Sequence, residues 1–149
     1  MNEPLRRQVR VACPVAHAFR IFTERIDLWW PQGHRKSEQS ELNLEGFVGG
    51  RFFERLPDGG EFLLGEILVY TPPERIRFSW HPGKLTKPTE VDVRFTPIGE
   101  STLVEVEHRE GSSDLGPLWQ ERVQLFQRGW QRVFEALAAY IDTAGVAEK

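Results

Sequence analysis

Near the end of the chain, Leu118/Trp119, Val123, Phe126, Trp130, Val133, Leu137 and Ile141 recur every three or four residues, which places them on one stripe of an α-helix. Gln120, Glu121, Gln124, Gln127, Arg128, Gln131, Arg132 and Glu135 take the other face and stay in water. No internal proline interrupts the stripe, and the pattern predicts a helix over residues 117–143. Ser113 or Asp114 can cap its start, Pro117 suits the first turn, and Gly145 ends it. At about 1.5 Å per residue the helix is roughly 35–40 Å long, which calls for an extended partner surface. Gly129 is its odd residue, since a mid-helix glycine costs about 1 kcal/mol against alanine. Two readings explain it: tight packing of helix on sheet, or a helix wall thinned beside a cavity.

The rest of the chain is patterned for strands. Leu5, Arg7, Val9 and Val11 alternate with polar neighbours and predict a strand over residues 4–12. Pro14 opens a short helix with Val15, Ala18, Phe19 and Phe22 on one side. A second short turn from Ile26 to Trp30 stops at Pro31, because the residue before a proline resists helix. The polar run from Gln32 to Gln39 reads as a loop. Alternation then returns through Leu42 and Leu44, and Gly49-Gly50 separates that strand from RFFER at 51–55. Pro57-Asp58-Gly59-Gly60 is a strong hairpin turn before the apolar run from Phe62 to Tyr70, which Pro72-Pro73 breaks. Ile76, Phe78 and Trp80 alternate with Arg77 and Ser79; a loop runs from Pro82-Gly83 through Pro88. Val91, Val93 and Phe95 alternate, residues 97–100 turn, and Thr102, Val104, Val106 and His108 share a face of the last strand.

The order predicts an α+β domain over residues 1–149: a strand, two short helices, about six antiparallel strands joined by hairpins, and the long helix. A twisted antiparallel sheet of six or seven strands with one apolar face would wrap that helix.

Composition narrows the function classes. Residues are 40% hydrophobic and 28% charged, as in ordinary globular domains. A net charge near −3 gives no general attraction for nucleic acid or anionic lipid. No stretch is apolar enough for a membrane span, and the opening MNEPLRRQVRV is not a signal peptide. The single Cys13 excludes an internal disulfide and fits a reducing, cytoplasmic setting. Four scattered histidines without a cysteine cluster predict no metal, and no nucleotide or nucleophile-elbow motif suggests a cofactor. Five Trp and ten Phe are many for 149 residues; such side chains build cores and also wall apolar ligand pockets.

Several strings carry a resemblance: residues 15–22 followed by Trp29-Trp30-Pro31, GGRFFE at 49–54 and GEILVYTPPERIRFSW at 65–80. VDVRFTP, VEVEHRE and Gly129-Trp130 before Leu137 and Tyr140-Ile141 continue it. Together they resemble the helix-grip fold of the START/birch-pollen-allergen-like (SRPBCC) superfamily, and within it homologues of the activator of heat shock protein 90 ATPase. The resemblance implies a cavity between the sheet and the long helix, opening towards the short helices and loops. Superfamily members bind lipids, hormones or polyketides, act as cyclases, or stimulate a chaperone ATPase. The chain lacks the separate N-terminal domain of the eukaryotic activator, which argues against a co-chaperone role.

Trp29, Trp30, Phe52, Glu54, Phe78, Trp80, His108, Trp119, Phe126 and Trp130 are the residues expected around that cavity. Glu54 shares parity with Phe52, and Glu66 in LGEIL is placed alike; a buried carboxylate needs a partner or takes up a proton. His108 on an apolar face is either a core residue or a hydrogen-bonding contact to a ligand, whereas His17, His34 and His81 read as helix-surface or loop residues. Three functions follow. The first is non-enzymatic binding of a small hydrophobic molecule by a monomer or homodimer. The second is a protein-interaction module acting on a chaperone. The third is a cyclase or hydrolase using Glu54, Glu66 or His108 as general acid or base.

Overall fold

The computed structural model describes residues 3–81, 88–111 and 117–144. Ser113, Asp114 and Gly145, expected at the ends of the long helix, lie outside them, as does most of the loop opened by Pro82-Gly83.

The chain runs β1 (Leu5–Val11), α1 (Val15–Thr23), α2 (Ile26–Trp29), a 3-10 turn (Gln32–His34), β2 (Glu41–Leu44), β3 (Arg51–Arg55), β4 (Glu61–Thr71), β5 (Arg75–Trp80), β6 (Thr89–Ile98), β7 (Ser101–Arg109) and α2's long counterpart, α3 (Leu118–Ala144). Seven strands form one antiparallel sheet in the order β1-β7-β6-β5-β4-β3-β2. It curves against the 27-residue α3, the α+β helix-grip architecture expected from the sequence. β1 closes one edge by pairing with β7, Leu5 opposite His108 and Val11 opposite Thr102. No described helix is long and apolar enough to cross a membrane.

Strict alternation sends one face of each central strand inward. Thr102, Val104, Val106 and His108 of β7 are buried beside Val91, Val93 and Phe95 of β6, with Ile76 and Phe78 of β5 continuing the layer. From the helix side, Trp119, Trp130, Val133, Leu137 and Ile141 enter the same core, and so does Phe134, which widens the predicted stripe. On the outer face the inward-cut Asp92 is held by Arg75 at 3.0 Å, Arg77 at 3.2 Å and Arg94 at 3.8 Å. Burial pushes its carboxyl up, but the hydrogen bonds and charges of these arginines outweigh this and hold it below its usual value.

Two expectations need correction. β6 continues through Pro97 and Ile98, which pair with Thr102 and Ser101, so the turn shrinks to Gly99-Glu100. Beyond Arg94 the strand's ladder runs with β7 alone, where a proline is tolerated. Glu66 is exposed, not inward like Glu54. The register slips between Phe52 and Phe53 and again between Ile67 and Val69, so Leu64 and Ile67 are both buried and Glu66 between them turns out.

Gly65 sits at this irregularity, opposite Phe52, where a Cβ would lie 1.7 Å from the backbone oxygen of Ser79 on β5. Gly65→Ala is expected to force β4 and β5 apart and lower stability by about 1–3 kcal/mol, measurable by urea unfolding.

Candidate functional site

Three indoles from three parts of the chain meet over β5. Trp30 follows α2, Trp80 ends β5, and Trp130 lies mid-way along α3. Trp30 stands 6.1 Å from Trp80 and 6.4 Å from Trp130, nearly perpendicular to the latter at 87°. Phe52 and Phe78, both fully buried, back them: Phe52 meets Trp30 at 5.9 Å, Trp80 at 5.7 Å and Phe78 at 5.3 Å. In front of them is a cavity of about 230 Å³ lined by Trp30, Trp80, Phe126, Trp130, Val133, Leu125, Gly129 and His34. Leu125 is 58% exposed and marks its rim.

Gly129 opens onto this cavity. A Cβ there would meet only the His34 ring, at 3.6 Å, an ordinary van der Waals distance. The glycine is therefore not demanded by tight helix-on-sheet packing, and the thinned-wall reading fits the geometry.

A larger depression of about 600 Å³ lies on the outer face of the sheet. It is lined by Arg6, Arg7, Asp92, Arg94, Glu105 and Glu107, with ion pairs such as Arg6–Glu107 among them. A wall of mutually paired charges offers an apolar molecule nothing, so the smaller aromatic cavity is the better candidate.

The other expected residues sit around the cavity at different depths. Trp29 is core: its Nε1 donates to the Ile21 carbonyl at 2.9 Å and its ring packs on Phe22 at 5.3 Å. Trp119 is buried at the other end of α3's contact with the sheet, where its Nε1 donates to the Glu3 carbonyl at 2.9 Å. Glu54 is 1% exposed, and its Oε1 accepts from the Lys36 N–H and the Ser40 hydroxyl, so its carboxylate fixes the polar loop.

His108 is fully buried beneath the cavity wall, stacked on Phe126 at 4.2 Å. The Trp130 Nε1–H can only donate, and it points at His108 Nδ1 from 3.0 Å. Nδ1 is thus the acceptor and Nε2 carries the proton, which it donates to Thr89 Oγ1 at 2.8 Å. Thr89 in turn donates to the Trp80 carbonyl at 3.1 Å. This relay ties α3 to β7, β6 and β5 and fixes two of the three indoles. Burial lowers the imidazole pKa from 6.5 to about 3.

The polar loop, which carried no periodic signal, supplies the pocket's remaining wall. Arg35 has a side chain only 3% exposed and donates to Asp27 Oδ1 at 2.6 Å, the Asp27 carbonyl at 2.7 Å, the Trp30 carbonyl at 2.8 Å and the Ser40 carbonyl at 3.0 Å. This clamp folds the 3-10 turn back so that His34 faces α3. Among the described residues lining the cavity, His34 is the one titratable side chain, and the sequence reading had left it as a loop residue.

Residues 12–142 match the family described as Activator of Hsp90 ATPase homolog 1-like protein. The chain belongs to that family. No curated protein matches it. Among solved structures, the self-sacrificing resistance protein CalC from Micromonospora echinospora is 25% identical, with 94% of each chain covered and a TM-score of 0.74. The anthrahydroquino-gamma-pyrone synthase Txn09, solved with SUM, is 34% identical over 83% of this chain and 87% of its own, with a TM-score of 0.57. DynU16, a protein of the dynemicin biosynthetic locus, is 21% identical with a TM-score of 0.72; the match covers 97% of this chain but 49% of DynU16. The family and the helix-grip superfamily expected from the sequence therefore hold.

Proposed function

We propose that this protein binds a compact, largely aromatic small molecule in the cavity walled by Trp30, Trp80, Phe126 and Trp130. The observation that carries the reading is a helix wall opened at Gly129 onto an apolar space bounded by three indoles. A cavity of about 230 Å³ suits a ligand of two or three fused rings, and indole faces stack on such rings. The likeness to Txn09, whose name denotes synthesis of a fused aromatic product, supports the same ligand class.

Gly129 gives the test. Gly129→Ala adds a methyl group where there is room, and should raise stability by up to about 1 kcal/mol through helix propensity. Gly129→Leu should fill the cavity and weaken binding of a naphthalene-based probe by tenfold or more while the fold persists. Both are read by thermal melting and by equilibrium dialysis; unaltered probe binding to the leucine variant would rule the cavity out as the site.

The 34% identity to a synthase favours a second reading, in which the bound molecule is also cyclised. Glu54 and His108 are engaged in internal hydrogen bonds, so His34 would be the acid or base within reach. Mass analysis of a fused-ring polyketide precursor after incubation checks it; an unchanged precursor leaves binding alone.

A further inference from the structure

We propose that His34 selects the ligand, by presenting its Nε2 to a hydroxyl group carried on the ring system. This inference rests on the binding reading above and adds the polar contact that the apolar walls lack.

His34 Nε2 is buried with no hydrogen-bond partner among the described residues. Its neighbouring ring atom Cε1 is the one that faces Gly129, 3.6 Å from where a Cβ would be, so this edge of the imidazole borders the cavity. The ring is held in place rather than adrift. The His34 N–H donates to the Pro31 carbonyl at 3.1 Å, its carbonyl receives the Trp30 indole N–H at 3.4 Å, and the Arg35 clamp follows immediately. An unpaired polar atom in a pre-set position is costly when the cavity is empty of a partner, and a ligand group that supplies the bond recovers that cost.

The chemistry of the partner follows from the ring. Burial, and secondarily the positive charge of Arg132, lower the His34 pKa, so the imidazole is neutral near pH 7. A neutral Nε2 either donates or accepts, depending on which nitrogen holds the proton. A hydroxyl serves both cases because it also donates and accepts, whereas a carbonyl serves only one. The nearby arginine charge favours a hydroxyl with acidic character, as on an aromatic ring, over an ammonium group. A fused-ring phenol combines this handle with faces for Trp30, Trp80 and Trp130.

The test compares 2-naphthol with 2-methylnaphthalene, which has the same shape without the hydroxyl. Both are titrated by equilibrium dialysis into wild type, His34→Leu and His34→Gln. The expected result is that His34→Leu weakens 2-naphthol about tenfold and leaves 2-methylnaphthalene within about twofold, as a single neutral hydrogen bond allows. Glutamine, which keeps a polar end, should restore part of the loss. In wild type, the His34 Nε2 ¹⁵N resonance should shift on adding 2-naphthol and stay put with 2-methylnaphthalene, a readout that needs no variant to fold. If both ligands bind but respond equally to the substitutions and leave the resonance unmoved, the role of His34 falls and the cavity stands. If neither ligand binds wild type, the cavity reading and this one fall together.

Discussion

Arg35→Met is expected to lower the unfolding free energy by about 3–5 kcal/mol, the range for removing one partner of a buried charged pair, and to abolish ligand binding with it. Methionine matches the bulk of the arginine stem but offers no donor. The carbonyls of Asp27, Trp30 and Ser40 and the Asp27 carboxylate would each lose a hydrogen bond of 2.6–3.0 Å. Asp27 Oδ1 would keep only the Leu42 N–H at 2.8 Å. The loop would then loosen, carrying Trp30 and His34 away from the cavity. Arg51→Met is the control: Arg51 also has two acidic partners, Glu45 and Glu61, but its side chain is 46% exposed. Exposed pairs contribute little because water screens them, so its loss should be far smaller. Urea unfolding of both variants decides the matter, and equal losses would show that the Arg35 network is not the clamp described.

The same residues show what could be read from the sequence. A stripe with period 3.6 and strands with period 2 fix which side chains turn inward, and that was enough to place Trp130, Phe78, Trp80 and His108 on the core side. Parity fails where a strand changes phase: Glu66 sits between two register shifts in β4, and nothing in LGEIL signals them except Gly65. Trp29 and Trp119 could not be told from cavity residues, because an inward-facing aromatic looks the same whether its ring meets other rings or empty space. His34 and Arg35 were invisible for a different reason. They belong to a segment held by side-chain bonds to backbone carbonyls, and such bonds leave no repeat in the sequence. An arginine in a polar run reads as solvated until its partners, one of them eight residues away at Asp27, are known.

Acidification should destabilise the protein through His108 before its carboxylates respond. At pH 7 the folded and unfolded chains both hold this imidazole neutral. As pH falls below 6.5, the unfolded chain takes up a proton first, because the folded pKa is only about 3. Folding stability therefore declines across the window from about pH 6.5 to about pH 3, by up to ~1.4 kcal/mol per pH unit. A protonated ring is opposed by more than burial, since Nδ1–H would then point at the Trp130 N–H, donor against donor. Asp92 acts later, because its folded pKa is depressed below 3.8 and its contribution is lost only in more acid solution. His34 is shifted in the same direction as His108, so the comparison must isolate the latter. His108→Asn does this, since its Oδ1 can still accept from Trp130 while no group titrates. Between pH 6.5 and pH 5 the wild type should lose about 2 kcal/mol more than this variant, measured as unfolding free energy in urea at each pH. At neutral pH His108→Ala should cost about 3–5 kcal/mol, from the cavity it leaves and the stranded Trp130 donor. Parallel pH profiles for wild type and His108→Asn would mean that the imidazole is not held neutral in the core, and the relay from Trp130 to Trp80 would have to be abandoned.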